Sequence, residues 1–261
     1  MKDADILSHN REAWNQQVDR GNRWTQAVDR ETVRRARGGD FEIVLTPTIP
    51  VPKKWFPPLE GTKTLCLASA GGQQAPLLSA AGADVTVLDN SPRQLDQDRA
   101  VAERERLEMR IVQGDMADLS IFEDESFDLI FHPCSNTFVP SVLPVWRECF
   151  RVLRSAGVLM SGFTNPIRYL FDDERKENGN LEVLYRLPYS DLDHLDAEHI
   201  QKAIADGQPL EFGHTLQDQI GGQLAAGFFL TGLYEDRYAK TDTDPLSEFL
   251  DTFIATRAIK L

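Results

Sequence analysis

Between Gly61 and Asn165, short apolar runs alternate with longer amphipathic stretches, the rhythm of βαβ units built around a mostly parallel sheet. Five runs have the length and boundaries of buried strands: residues 64–68, 84–88, 110–113, 127–132 and 157–163. Between them the period becomes helical over 74–81, 92–107 and 141–154, and the last stretch presents Val142, Val145, Trp146, Cys149 and Leu153 on one face. Ahead of this region Leu7, Trp14 and Val18 stand at helical spacing. Asp29 is placed to cap a second short helix that runs to Arg37 and ends at the Gly38-Gly39 pair. Prolines at 47, 50, 52, 57 and 58 remove backbone donors and fix φ, so 46–58 is an extended connector.

Beyond Pro166 the alternation stops. Residues 166–213 are acidic and turn-rich, with a strand expected at 181–187 and a helix at 197–205. The chain then resumes with a helix over 215–226, a strand at 228–235 and a last β segment at 249–260. The expected organisation is therefore N-terminal helices and connector (1–60), an α/β core (61–165 and 214–261), and an insertion after strand five (166–213) that covers the core together with the N-terminal helices.

Charge narrows the choice of ligand. With 41 acidic against 28 basic residues, the chain carries a formal charge of −13. Polyanions are repelled, since nucleic-acid affinity rests on Lys and Arg displacing counterions from phosphates. No nucleic acid is expected as a partner, although Arg30, Arg34, Arg35 and Arg37 form one local basic cluster. No long apolar run and no signal-like start is found, so no membrane association and a cytoplasmic location are expected. Cys66, Cys134 and Cys149 lack metal-ligand spacing, and Cys66 and Cys149 fall in apolar periodic segments that suit a core. The acidic group Asp172, Asp173, Glu174 and Glu177 lacks histidine partners and defined spacing, and reads as a solvated loop with no metal.

Candidate chemistry gathers where the strands end. Strand one runs into Ala68-Ser69-Ala70-Gly71-Gly72-Gln73-Gln74, small residues that let a ligand approach the backbone, followed by the free N–H groups of a helix start. Strand two ends at Asp89, whose carboxylate suits both hydroxyls of a ribose, with Asn90 beside it and Ser91 or Asp89 available to cap the next helix before Pro92. A dinucleotide oxidoreductase would also want these features, but the turn lacks G-x-G-x-x-G. The chain adds Gly114-Asp115-Met116-Ala117-Asp118-Leu119 after strand three, and Ser126-Phe127-Asp128 leads into strand four.

In these four ordered motifs, 61–165 resembles the core of class I S-adenosylmethionine-dependent methyltransferases. The resemblance implies a Rossmann-like seven-stranded sheet, mostly parallel with an antiparallel last strand, and helices on both faces. It implies S-adenosylmethionine as cofactor, S-adenosylhomocysteine as product and a small-molecule acceptor. The methionine part would lie on Ala68, Ser69, Ala70, Gly72, Gln73 and Gln74, the ribose on Asp89 and Asn90, and the adenine on Asp115 and Met116. Two departures stand out. Cys66 replaces the usual acid on strand one, and alanines at 68 and 70 replace usual glycines, a change that costs little while φ stays negative. Ser69 and the two glutamines are candidates to supply the missing hydrogen bonds.

For catalysis, His132 at the carboxyl end of strand four is the candidate general base and a further cofactor contact, against the alternative of an imidazole bonded to a loop carbonyl. Asn136, Trp14, Trp24 and His214 are candidate substrate contacts, against the alternative that the tryptophans pin the roof and His214 flanks a helix. His132-Pro133-Cys134-Ser135-Asn136 departs from the Asp/Asn-Pro-Pro-aromatic stretch of amino-group methyltransferases, so that acceptor class does not follow from the motif. A non-catalytic cofactor-binding module and an NAD-type oxidoreductase stand as competing readings.

Overall fold

The computed structural model describes residues 2–240 and 244–261. Two helices, α1 (Asp3–Asp19) and α2 (Arg30–Arg37), precede the sheet, and the Asp29 side chain caps α2 by accepting from Thr32 N–H. The core follows as β1 (Lys63–Leu67), α3 (Gln74–Ala80), β2 (Asp84–Asp89), α4 (Pro92–Glu105), β3 (Met109–Gln113), β4 (Phe127–His132), α5 (Leu143–Val152) and β5 (Leu153–Thr164). The insertion carries α6 (Asp173–Glu177), β6 (Tyr189–Ser190), α7 (Asp191–His194), α8 (Ala197–Ala205) and β7 (Phe212–Gly213). A π-helical turn (Gln217–Gly221) then leads into α9 (Gly222–Ala226), β8 (Phe228–Asp236) and β9 (Phe253–Lys260).

The seven-stranded sheet has the order β3-β2-β1-β4-β5-β9-β8, with β9 antiparallel to both of its neighbours. Strand direction explains the sequence pattern. Parallel strands covered on both faces read as continuous apolar runs, and in β1 every residue after Lys63 is buried. Cys66 points to one face, with Val33, Leu45, Val87 and Met160, whereas Leu65 and Leu67 point to the other, with Trp146, Cys149 and Leu119. The edge strand β8 instead alternates, leaving Phe229 and Leu233 more than half exposed. Among the described residues, no helix is long and apolar enough to cross a membrane.

Three expectations are corrected. Residues 181–187 form no strand: Val183 makes a single bridge to Phe171, and the two-stranded pairing lies at Tyr189–Ser190 with Phe212–Gly213. This stretch has no sheet to bury it, and Val183 is 63% exposed. The last strand begins at Phe253, because a 3-10 turn (Pro245–Glu248) occupies the preceding stretch and leaves Phe249 at the surface. The single helix expected over 215–226 is interrupted by the π-helical turn.

The arginines of α2 are matched locally. Arg34 pairs with Glu31, Arg35 with Asp40, Arg37 donates to Glu105 O, and Arg30 lies 4.0 Å from Glu105.

Candidate active site

The turn after β1 is held from behind by α4. Gly71 N–H donates to Gln94 Oε1 and Gly72 N–H donates to Asp98 Oδ1, both at 2.8 Å, and both side chains are buried. The approach leaves no room for a side chain at the first glycine, since a Cβ on Gly71 would lie 2.1 Å from Gln94 O. Ala68 and Ala70 have φ of 46° and 64°, so the condition under which alanine costs little here is not met: both adopt the left-handed region. Such a conformation costs an L-residue roughly 1–2 kcal/mol, and it persists where surrounding structure enforces it.

Neither Ser69 nor the glutamines secure this turn. Ser69 Oγ is buried without a hydrogen bond. Gln73 Nε2 donates to the carbonyls of Arg23 and Gln26, and Gln74 Oε1 accepts from Val44 N–H, so both fasten the N-terminal segment to the core. The acid that holds this turn is Asp98 on α4, which sits well outside the motif.

Burial, with the Asp89 charge adding to it and Arg99 opposing it, pushes the Asp98 carboxyl up to about 8. A group raised in the fold contributes stability that is complete below the ordinary carboxylate range and is lost as pH rises through 8. Asp98→Asn keeps an acceptor for Gly72 and removes the titration. Urea unfolding at pH 5 and pH 8.5 is therefore expected to show the wild type losing at least about 1 kcal/mol more than the variant. Equal losses would contradict this account.

Asp89 ends β2 at the sheet's crevice and is pushed up to about 6 by burial. Its Oδ1 accepts from Ser91 N–H at 2.8 Å, which leaves the second oxygen for a ligand, while Ser91 Oγ caps α4 by accepting from Gln94 N–H. Asn90 Nδ2 donates to Leu7 O and so ties β2 to α1. Asp115 accepts from Ala117 N–H, and Met116 packs into the core beneath.

These groups open on one cavity of about 660 Å³. Ala68, Ala70, Gln73, Gln74, Asp89, Asn90, Asp115 and Met116 line it, as do Trp14 and Trp24 from the roof. Ser69, Gly72, His132, Asn136 and His214 do not. Trp14 stands edge-on to Phe138 at 5.1 Å, and the Arg23 guanidinium covers Trp24 at 4.4 Å. Trp55 is buried against Tyr234 and pins β8.

His132 is fully buried, with Nδ1 2.8 Å from Leu67 O and Nε2 2.5 Å from the Asn136 side-chain amide, whose other end meets Gln219. Burial lowers its pKa, keeping the ring neutral. A neutral ring has one N–H, so with Nδ1–H donated to Leu67 O the contacts are satisfied when the Asn136 amide turns its NH2 to Nε2 and the Gln219 amide turns with it to donate to the Asn136 oxygen. His214 Nε2 lies 3.0 Å from Asn136 O, on the same loop. His132, Asn136 and His214 thus form a buried brace for the chain leaving β4, and the geometry favours the alternative in which His132 bonds a carbonyl.

The far half of the cavity is built by the insertion. Asn10 on α1 fastens it: Nδ2 donates to Phe138 O and Leu210 O, and Oδ1 accepts from Leu210 N–H. Tyr169, Tyr185, Tyr189, Asp191 and Glu211 line this half, next to Thr137 in the loop after β4.

Comparison with known proteins agrees with this geometry. The model of the methyltransferase domain family matches residues 65–161. The Bacillus subtilis (strain 168) protein named uncharacterized methyltransferase YbaJ is 50% identical over 256 residues, covering 98% of this chain and 99% of that protein. An S-adenosylmethionine-dependent methyltransferase structure from Mesorhizobium loti superposes with a TM-score of 0.58 at 16% identity, over 80% of this chain and 95% of that one. A putative one from Listeria monocytogenes gives 0.59 at 15%, with the same two coverages of 80% and 95%. The fold and crevice define a Rossmann-like transferase. The chain belongs to the class I S-adenosylmethionine-dependent methyltransferases.

Proposed function

We propose that this enzyme methylates a small-molecule acceptor held in the insertion half of the cavity, with S-adenosylmethionine held in the sheet half. The observation that carries the reading is the continuity of one cavity from Asp89 and Asp115 to Tyr169 and Glu211, roofed by α1 and the insertion. A cleft of this size suits a nucleoside cofactor with a compact partner better than a polymer.

The residues fit the cofactor. Ala68 and Ala70 offer a left-handed turn whose backbone faces the cavity, Asp89 keeps a carboxylate oxygen for a ribose, and Asp115 with Met116 pairs an acceptor with an apolar surface for the adenine. The bound group would supply an electrophilic methyl on a sulfonium. The chain's share is to orient the acceptor against it and exclude water, a positioning effect worth on the order of 7–11 kcal/mol of barrier.

Asp89→Ala is expected to weaken S-adenosylhomocysteine binding by at least about tenfold in calorimetry, the loss of one charge-assisted pair. Wild-type affinity should fall as pH drops through about 6, where Asp89 takes up its proton. Unchanged affinity in the variant removes the ribose assignment. Transfer of labelled methyl to a metabolite fraction that passes a small-molecule filter tests the acceptor class, and label found only on macromolecules refutes it.

A further inference from the structure

One side chain of the insertion half has an oxygen held in place and an oxygen left open. Glu211 stands just before β7, and its Oε2 accepts from Tyr169 OH at 2.8 Å. Its backbone N–H donates to Asp191 Oδ2 at 2.7 Å, so main chain and carboxylate are both fixed. Oε1 has no hydrogen-bond partner among the described residues, is not sealed off, and belongs to a side chain that lines the cavity.

Tyr169 is placed in turn by its surroundings. Its hydroxyl bonds the Thr137 hydroxyl in the loop after β4, and Thr137 also lines the cavity. The Tyr169 ring stacks on Tyr189 with centres 5.3 Å apart, and a Cβ on Gly213 would lie 2.6 Å from its ring carbons. Gly213 therefore leaves the space that lets the tyrosine reach Glu211. Three segments distant in sequence meet at this wall, which faces the end of β4 where the two halves of the cavity join.

The other groups that could take a proton are engaged. His132 is sealed in its brace, Asp173 is ion-paired to Lys176, Asp172 caps α6, and burial pushes the Cys134 thiol up. Asp89 and Asp115 belong to the cofactor half. Burial, Asp173 and Asp191 push the Glu211 carboxyl up to about 7, against the Tyr169 hydrogen bond and Arg168, which favour the carboxylate. A base works best with its pKa near the working pH, and a carboxylate with one oxygen held presents the other in a fixed direction.

Resting on the methyltransferase reading above, we propose that Glu211 is the general base of the reaction, with Tyr169 and Thr137 as its positioning residues, and that the acceptor enters with a proton on its attacking atom. That atom uses a lone pair to bond the methyl carbon, and the carbon–sulfur bonding pair leaves with sulfur. The proton passes to Glu211 Oε1, turning carboxylate into acid, and from there to solvent.

The test measures initial rates of label transfer from saturating S-adenosylmethionine to a metabolite fraction that passes a small-molecule filter, between about pH 5.5 and about pH 9. Saturation keeps cofactor affinity out of the pH dependence. The wild-type rate is expected to rise with pH and to level off above about 7. Glu211→Gln should lower the plateau at least about a hundredfold and remove the rise, while S-adenosylhomocysteine affinity is kept. If that variant fails to fold, Glu211→Asp serves instead, with the rise kept at a rate at least about tenfold lower. Tyr169→Phe removes a hydrogen bond that favours the carboxylate, so its rise should move to higher pH, a change that a merely structural tyrosine would not produce. The groups facing Glu211 over this range are Tyr169 and Arg168 after β5, Asp173 on α6, Tyr189 on β6, Asp191 on α7 and Tyr238 after β8. A Glu211→Gln rate within about tenfold of wild type, or the same rise in that variant, overturns the proposal. So does a wild-type rate in Glu211→Asp together with an unmoved rise in Tyr169→Phe. Failure of the wild type to bind S-adenosylhomocysteine strikes the cofactor reading instead, and binding without transfer to the filtrate strikes the small-molecule acceptor and this proposal with it.

Discussion

Gly71→Ala is expected to lower unfolding stability by about 3 kcal/mol and to weaken S-adenosylhomocysteine binding by about a hundredfold or more. The added methyl would meet Gln94 O at 2.1 Å and the Gln94 carbonyl carbon and Cα at 2.7 Å. These are backbone atoms of α4, with no flexible tip to swing aside. Either the turn or the helix has to retreat, and a retreat breaks the Gly71–Gln94 and Gly72–Asp98 hydrogen bonds that hold the ligand-facing backbone. Gly61→Ala is the control: it has φ of 68° but nothing within 4 Å of its added methyl, so it should cost only the strain of the left-handed region, about 1 kcal/mol. Urea midpoints and calorimetry on both variants check the contrast, and a Gly71 variant no worse than the Gly61 variant would show that α4 does not brace the turn.

His132→Ala is expected to lose about 3–4 kcal/mol of stability, through two buried partners left unsatisfied at about 1–3 kcal/mol each and a cavity beside Trp146. The imidazole is held neutral, with its pKa depressed, so its contribution is present above the ordinary histidine range and is lost as pH falls through the folded value. At a temperature where the variant is folded, turnover should stay within about tenfold of wild type and the pH–rate profile should keep its shape. Collapse of turnover with unchanged stability would restore His132 as a general base.

The contrast between these residues marks what the sequence made legible. Strand and helix positions in the core were readable because burial on both faces of a parallel sheet writes continuous apolar runs such as Val85-Thr86-Val87-Leu88, and capping residues such as Asp29 and Ser91 punctuate them. Asp89, Asp115 and Met116 were readable because local order fixes them at strand ends. Asp98 and Gln94 were not, since their role depends on how α4 turns toward a loop 23 or 26 residues earlier. Asn10 is joined to Leu210 across 200 residues, and nothing in its neighbourhood of sequence signals a buried clamp. The strand expected at 181–187 fails for the complementary reason: an extended apolar stretch pairs with nothing when no sheet lies against it.

Asn10 has a consequence for the order in which the molecule assembles. Helix α1 leaves the ribosome before the sheet does, yet its buried amide has no partner until Phe138 and Leu210 have been made. The sheet can nucleate from β1, β2, α3 and α4 using contacts close along the chain, whereas α1 waits on a closure across 200 residues. Helix α1 therefore docks late, and the crevice stays open to solvent until Leu210 has been made and reaches Asn10.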